Sequence, residues 1–485
     1  MNSAVLATAD WFGAPDYVLA RLVLQRGLGL VYLIAFLVTV CQFRPLLGER
    51  GLEPVPRFVS AVPFRRAPSL FHLRYSDRLL VVVAGAGILG SAAVLTGLVQ
   101  RGPLWLCMLV WLLLWMLYLS IVNVGQTFYG FGWETLLLEA GFLATFLGSD
   151  HQSPPLLVLW LFRWLVFRVE FGAGLIKLRG DRCWRDLTCL YYHHETQPLP
   201  NWFSWHFHHL PKVLHRVEVL ANHFAQLVVP FGLFAPQPIA GSAALVIIVT
   251  QCWLLLSGNF AWLNTITIVI AAAALPNGFL EPLLPTRATS TGTPGWWVGA
   301  VVVLFALVVV LSYRPARNLL SRRQLMNTSF NSLRLVNSYG AFGHITKSRN
   351  ELIIEGTDEE HITSATEWRA YEFKAKPGDP KRRPPQIAPY HLRLDWLMWF
   401  AAMSPPYAHP WIGQLVVRLL ENDGSTTQLL RHNPFPQSPP AYIRVQTYRY
   451  RFTTRDERSQ TGRWWSRSLV GSYLPPVALS ALRDA

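Results

Sequence analysis

Charged side chains within apolar runs are the residues of this chain best placed to do chemistry. Arg163, Arg168 and Glu170 fall in the apolar stretch Leu156–Ile176, Lys177 follows at its exit, and Glu134 and Glu139 accompany the short apolar run Leu136–Leu147. A charge at membrane depth is costly, so it marks an ion pair, a polar ligand or a lipid headgroup. Arg163 and Glu170 are seven residues apart, about two helical turns, and share a face without reaching each other. Arg163 is therefore expected to pair with Glu139 of a neighbouring span, as a structural tie or as part of a polar-ligand site.

A second set follows: Tyr191, Tyr192, His193, His194 and Glu195, continuing to His206, His208, His209 and His215. Imidazole titrates near neutrality and can relay protons or hold metal. There is no HExxH, and the adjacent His193 and His194 would not ordinarily converge on one ion from a helix. Trp202 and Trp205 nearby suit a headgroup-level position. Interfacial structure, acid–base or ligand contact, and metal binding remain open readings. No catalytic residue, metal or cofactor is assigned. The candidate polar site comprises Glu139, Arg163, Arg168, Glu170, Lys177, Tyr192, His193, His194 and Glu195.

Several enzyme classes are excluded. No GxSxG nucleophile elbow is present. Ser338–Tyr339–Gly340 lies close to Gly343–His344, but proximity in sequence does not make a triad. No GxxxxGK[ST] phosphate loop occurs. The C-terminal part offers a recognition surface instead, with a basic, proline-stiffened run from Lys374 to Pro385. Tyr339, Lys374, Arg382, Arg383, Trp396, Trp399, Trp411, Trp464 and Trp465 form the candidate protein-contact set, although a small domain could equally use most of these tryptophans as core.

The elements that must position these residues divide sharply. Hydrophobic residues are 52% and charged residues 15% of 485, a poor fit to one large soluble domain. Leu79–Gln100 and Gly102–Val122 carry no charge at all, and each exceeds the ~18 apolar residues of a transmembrane helix. Nine candidate spans are Leu22–Cys41, Leu79–Val99, Pro103–Val122, Leu136–Leu147, Leu156–Ile176, Val217–Phe234, Ile239–Leu256, Phe260–Leu275 and Trp296–Leu311, several of them short, so the count is five to nine. Asp10, Asp16 and Ala14–Pro15 precede the first run, which reads as a retained span. The net charge of +15 sits largely beside apolar spans, where it meets anionic lipid and not nucleic acid. The loop Gln42–Arg78 has seven arginines against three acids and is expected on the cytoplasmic side. With nine spans, charge places the C-terminal module there too. Of the five cysteines, Cys183 and Cys189 share a loop as a disulfide or a reduced pair.

From Asn327 onward short alternating runs appear. Ala441–Thr453 is the clearest strand; Glu351–Glu355, Trp368–Lys374 and Gln414–Leu420 are further candidates, and Leu392–Met403 suits a short helix. The expected architecture is a polytopic α-helical membrane bundle over residues 1–320, followed by a small β-rich, β-sandwich-like domain over 321–485.

The chain also resembles the lipase maturation factor family. The resemblance rests on Phe171–Gly172–Ala173–Gly174–Leu175–Ile176–Lys177–Leu178–Arg179–Gly180–Asp181, on Tyr192 through Asn201, on Phe330 through Gly340, on Phe373–Lys374 with Pro377–Gly378–Asp379–Pro380, on Pro389 through Ala401, and on Asn433–Pro434–Phe435 and Gly471 through Pro476. It implies an endoplasmic-reticulum membrane protein, a chaperone that assists folding and assembly of secreted lipases, with a lumenal C-terminal domain touching the client. Arg- and Ala-rich usage looks bacterial, which would place the chain in an inner membrane. A distant resemblance to the membrane domain of vitamin K-dependent carboxylases implies the alternative, an integral membrane enzyme acting on a lipid-soluble substrate. A non-enzymatic maturation factor with membrane lipids and an exported client as partners is the favoured expectation.

Overall fold

The computed structural model describes residues 11–284 and 292–483, so Asp10 lies outside the described residues. Its helices are α1 (Val18–Leu47), α2 (Asp77–Thr96), α3 (Leu104–Val124), α4 (Gly132–Ala144), α5 (Leu156–Arg179), α6 (Leu190–Thr196), α7 (Lys212–Leu227), α8 (Ile239–Ser257), α9 (Leu263–Ala271) and α10 (Gly295–Leu320). Five of them, α1, α2, α3, α8 and α10, are long and apolar enough to cross a membrane. The protein is thus an integral, multi-pass membrane protein. The expected fourth span is the 13-residue α4, too short to cross alone and buried on nearly every side. The expected Val217–Phe234 span breaks at Val228, where Pro230 opens a separate turn.

Hydrogen bonds between loops fix the direction of these helices. Gln42, late in α1, donates to the His391 carbonyl (2.7 Å); Gln126, after α3, donates to the Glu53 carbonyl (2.9 Å); Asn259, after α8, donates to the Pro385 carbonyl (2.9 Å). These loops share one face with the C-terminal module. The other face gathers the amide of Leu19 on Asn277 (3.0 Å), Gln237 on the Ala274 carbonyl (2.9 Å) and the amide of Asp150 on the Gln100 carbonyl (2.8 Å). Among the described residues, α1 to α5 and α7 to α10 run alternately between the two faces. The arginine-rich loop 42–78 and the C-terminal module therefore lie on the same side.

The module carries β1 (Arg349–Thr357), β2 (Arg369–Ala370), β3 (Glu372–Phe373), α11 (Arg393–Ala401), α12 (Pro410–Leu420), β4 (Leu430–His432), β5 (Tyr442–Phe452) and β6 (Trp465–Val477). One antiparallel sheet has the order β2-β1-β5-β6, and β3 pairs with β4 in a second. Period-two alternation gives β1 two covered faces: Leu352 and Ile354 join the core shared with α11 and α12, while Ile353 joins Tyr450, Phe452, Trp465 and Trp205. The expected strand Gln414–Leu420 is instead the end of α12. Pro410 opens that helix, and Trp411, Ile412, Leu415, Val416 and Leu419 are buried at helical spacing, which overrides the local β-branched pair.

The module is locked to the bundle by charge. Glu134 of α4 accepts from Arg393 of α11 (2.7 Å) and from the Tyr118 hydroxyl, and Arg393 lies over the Tyr129 ring at 3.4 Å. Glu139, on the same helix, is bonded by Arg168 of α5, the Asn337 amide (2.9 Å) and the Tyr339 hydroxyl (2.8 Å). All of these side chains are buried. Removing one partner leaves the other charge uncompensated, which costs about 3–5 kcal/mol, whereas replacing both with apolar groups is close to neutral. Glu134→Gln or Arg393→Met alone should lower the thermal midpoint of the detergent-solubilised protein by that much stability. Glu134→Met with Arg393→Met should recover most of the loss, read by tryptophan fluorescence on heating.

Candidate functional site

A cavity of about 1070 Å³ opens where α5, α6, α7, α8 and α9 meet the segment 326–344 and α11. Apolar residues form most of its wall, and one polar chain crosses it. Lys177 donates to Asn222 and Gln226 (both 2.8 Å); Gln226 (3.2 Å) and Gln251 (2.6 Å) donate to Glu170; Asn264 donates to Gln251 (2.9 Å). The side chains come from four helices, so the chain of amides ties α5 to α7, α8 and α9. Lys177 and Glu170 are buried, and each finds neutral amides as partners in place of a direct ion pair.

His193 and His194 of α6 close one end of the cavity. Burial pushes His193 down to about 3, helped by His194 and Lys177, so its ring stays neutral between Phe260 (6.2 Å) and Phe342 (5.0 Å). His194 sits 3.8 Å from Glu218 of α7. Glu195 turns away, and its carboxylate accepts from the Phe452 amide at 2.7 Å, fastening the end of β5. Burial raises the Glu195 carboxyl above the usual range. Beside it, burial pushes His208 down to about 3. Tyr192 is half-buried under Lys347 (5.9 Å) and does not line the cavity.

The cavity therefore joins Glu170 and Lys177 to His193 and His194, while Arg163, Arg168, Glu139, Tyr192 and Glu195 lie outside its wall. The expected Arg163–Glu139 pair does not form. Arg168 takes Glu139, because it is level with the middle of α4. Arg163 lies further toward the opposite face, with its Nε donating to the Ala273 carbonyl (3.2 Å) and its guanidinium over Tyr17 (5.3 Å) and Trp160 (5.2 Å). Sequence reasoning missed Asn222, Gln226, Gln251, Asn264 and Glu218. Gln251 and Asn264 carried a usable signal, since each is a lone amide in an apolar run.

The expected protein-contact set divides by exposure. Tyr339, Trp396, Trp411 and Trp465 are core residues, not surface anchors. The Tyr339 hydroxyl serves Glu139, and Trp396 packs on Trp133 at 4.9 Å. Trp399 is half-buried, donating to the Thr196 carbonyl (2.9 Å) at the cavity wall. Lys374 is half-buried; Arg382 is committed to the carbonyls of Phe373 (2.6 Å) and Lys374. Arg383 is exposed, with its guanidinium 5.2 Å from Trp464 and 5.8 Å from Trp202; Arg458 covers the half-buried Trp464 at 3.5 Å. Cys183 and Cys189 form a disulfide beneath α6.

Two glycines let the 337–343 segment lie directly on α5. A Cβ on Gly172 would meet the Tyr339 carbonyl oxygen at 2.5 Å, and one on Gly180, just after the helix, would overlap the Gly343 carbonyl. Any side chain there separates the segment from the bundle. Gly172→Ala should therefore cost about 1–3 kcal/mol of stability by overpacking, seen as a lowered unfolding temperature.

Fold and site together define a multi-span membrane protein whose helical bundle and β-rich module share buried ion pairs and one cavity. Comparison with known proteins gives that class a family. Residues 19–282 match the lipase maturation factor transmembrane domain, and residues 335–475 match the lipase maturation factor C-terminal domain. Human lipase maturation factor 1 is 42% identical over 96% of this chain and 89% of its own length. The mouse protein of that name is 41% identical over 96% and 88%. Human lipase maturation factor 2 is 30% identical over 95% and 83%. No solved structure matches the chain. The chain belongs to the lipase maturation factor family, and its class is a membrane-embedded maturation factor.

The buried histidines make stability depend on pH. For His193 and His208 the folded value lies near 3, below the ordinary 6.5. Between these values the unfolded chain binds protons that the folded chain refuses, so stability falls as pH drops from about 6.5 toward 3 and is intact above. The fall should be at most about 1.4 kcal/mol per pH unit for each ring. His208→Gln should flatten the slope of the unfolding temperature against pH.

Proposed function

We propose that the chain matures exported lipase-like proteins, with residues 1–320 as the membrane anchor and 321–485 as the client-facing unit on the exported side. The observation that carries this reading is the match of both halves to lipase maturation factors along 96% of the chain. The disulfide Cys183–Cys189 supports the orientation. It lies on the same face as the module, and disulfides persist in oxidising compartments. That face is also arginine-rich, against the charge rule. The rule counts short loops such as Gln42–Arg78 and so points the other way there, whereas the module, a folded segment, translocates largely regardless of charge. In a eukaryote the membrane is that of the endoplasmic reticulum. If the Arg- and Ala-rich usage reflects a bacterial source, it is the inner membrane.

Client contact in this reading falls on the cation–aromatic patch of exposed Arg383 and Trp202 with half-buried Trp464 and Arg458, beside the outer strand β6 with its exposed Leu469 and Val470. Arg–aromatic clusters are favoured anchors at protein interfaces. An outer strand also presents unpaired backbone groups to a partner. The cavity adds a second element: an amphiphilic ligand with its polar head at Lys177 and Glu170 and its apolar part against the remaining wall.

Co-expression with a secreted lipase in cells lacking their own maturation factor tests the proposal. Wild type should raise secreted lipase activity. Arg383→Glu with Trp464→Ala should lose most of that gain at unchanged abundance of the chain. Unchanged lipase output with wild type would overturn the reading. Arg455→Cys, in a chain with Cys41 and Cys252 replaced by alanine, should react with an impermeant maleimide only from the exported side of sealed vesicles.

A further inference from the structure

We infer that His194, His215 and Glu218 form a Zn²⁺ site at the wall of the cavity. His215 and Glu218 are three residues apart on one face of α7, and α6 brings His194 against them. Glu218 Oε2 lies 3.6 Å from His215 Nδ1 and 3.8 Å from His194 Nε2, and the three ligand atoms fall within 4.8 Å of one another. Metal–ligand distances of about 2.0–2.2 Å in a tetrahedral site place ligand atoms roughly 3.3–3.6 Å apart. Small side-chain rotations are enough to close the set.

The polar atoms here are otherwise unsatisfied. His194 and His215 are each 1% exposed. Among the described residues, both ring nitrogens of His194, Nδ1 of His215 and Oε2 of Glu218 are buried with no hydrogen-bond partner. Each such group costs about 1–3 kcal/mol. Three side chains converging on one point with their lone pairs unused is an arrangement that a dication relieves. An imidazole–carboxylate hydrogen bond does not explain it, because 3.6 and 3.8 Å are too long.

The outer contacts orient the ligands independently. His215 Nε2 lies 3.4 Å from the His208 carbonyl. A carbonyl only accepts, so the proton sits on Nε2 and Nδ1 keeps the lone pair that faces Glu218. The Trp253 indole N–H donates to Glu218 Oε1 at 2.6 Å, leaving Oε2 for the metal. Outer-shell partners of this kind set tautomer and ligand orientation in metal sites. Two imidazoles and one carboxylate suit zinc, whereas Mg²⁺ and Ca²⁺ require oxygen ligands. Three protein ligands leave a fourth position, and His194 and Glu218 both line the cavity, so that position is accessible to water or to an anionic group entering there. The ion would pin α6 to α7, holding the 192–201 segment on which Arg349 and β5 are anchored.

The test uses full-length protein purified in detergent, without chelator and through a tag free of histidine. Metal analysis should find about one zinc per chain. Metal-depleted protein titrated with Co²⁺ should develop the visible absorption of a tetrahedral centre. His194→Ala and Glu218→Gln should abolish both signals, and His208→Ala, whose ring is not a ligand, should retain them. Trp253 is 44% exposed, so Trp253→Phe should fold normally and weaken metal affinity by about 10–100-fold through Glu218 alone. Wild type without zinc and without a Co²⁺ spectrum overturns the site. So does a zinc content or Co²⁺ spectrum that Glu218→Gln and Trp253→Phe leave unchanged.

Discussion

Two carboxylates on one short helix set the terms for the whole molecule. Glu134 and Glu139 lie on α4, and neither reaches water. A buried carboxylate stays charged only with a cation and donors around it. The bundle supplies one cation, Arg168, to Glu139. The other, Arg393, comes from 259 residues further along the chain. The segment that satisfies the rest of Glu139, Asn337 and Tyr339, also belongs to the C-terminal part. Helical bundle and β-rich module therefore cannot separate without stranding charge.

That dependence explains why distant stretches carry matching features. The glycines at 172 and 180 allow the backbone at 339 and 343 to lie against α5, which brings Asn337 and Tyr339 to Glu139. The same close approach forms part of the cavity wall, since Tyr339, Gly340, Phe342 and Gly343 line it together with Lys177 and Glu170. Arg349 works in the same way on the other side of the module. Paired with Glu351 at 2.6 Å, it donates to the carbonyls of Glu195 and Pro198 and so fixes the loop that follows α6. Position, not chemistry at each residue, is what these contacts secure.

Much of the fold was legible because its signals are local. Charge-free runs longer than a bilayer mark α2 and α3, and strict alternation marks β5. Arg163 and Arg168 showed themselves as costly charges, yet which of them meets Glu139 depends on the relative depth of two helices, which no single run reveals. The Glu134–Arg393 pair lies further still from local inference. The tryptophans illustrate the opposite failure. Trp396, Trp411 and Trp465 look like interface anchors by type, but a module with two small sheets needs them as filling, whereas Trp464 stays half-buried and Arg383 exposed. Gln414–Leu420 alternates locally, whereas burial at Trp411 and Ile412 shows the longer helical period.

The basic face illustrates how composition and structure assign different meanings to one charge. Counted along the sequence, the arginines beside the module argue for a cytoplasmic side. In the fold, it is arginines of the module itself that are committed: Arg393 to Glu134, Arg349 to Glu351, Arg444 to Glu355 at 2.8 Å, Arg369 to Asp358 at 2.5 Å and Arg451 to Glu457 at 2.5 Å, while in the loop 42–78 Arg44 meets Asp77 at 3.5 Å. A guanidinium whose partner is a carboxylate adds little net field at the membrane surface, so it contributes weakly to lipid-headgroup attraction. Exposed Arg383 and half-buried Arg458 stack on tryptophan, where a cation–π contact is favourable without a counter-anion. The loop arginines Arg50, Arg57, Arg65, Arg66, Arg74 and Arg78 stay exposed, so the free charge that composition reads on this face is carried by the loop and not by the paired guanidiniums of the module.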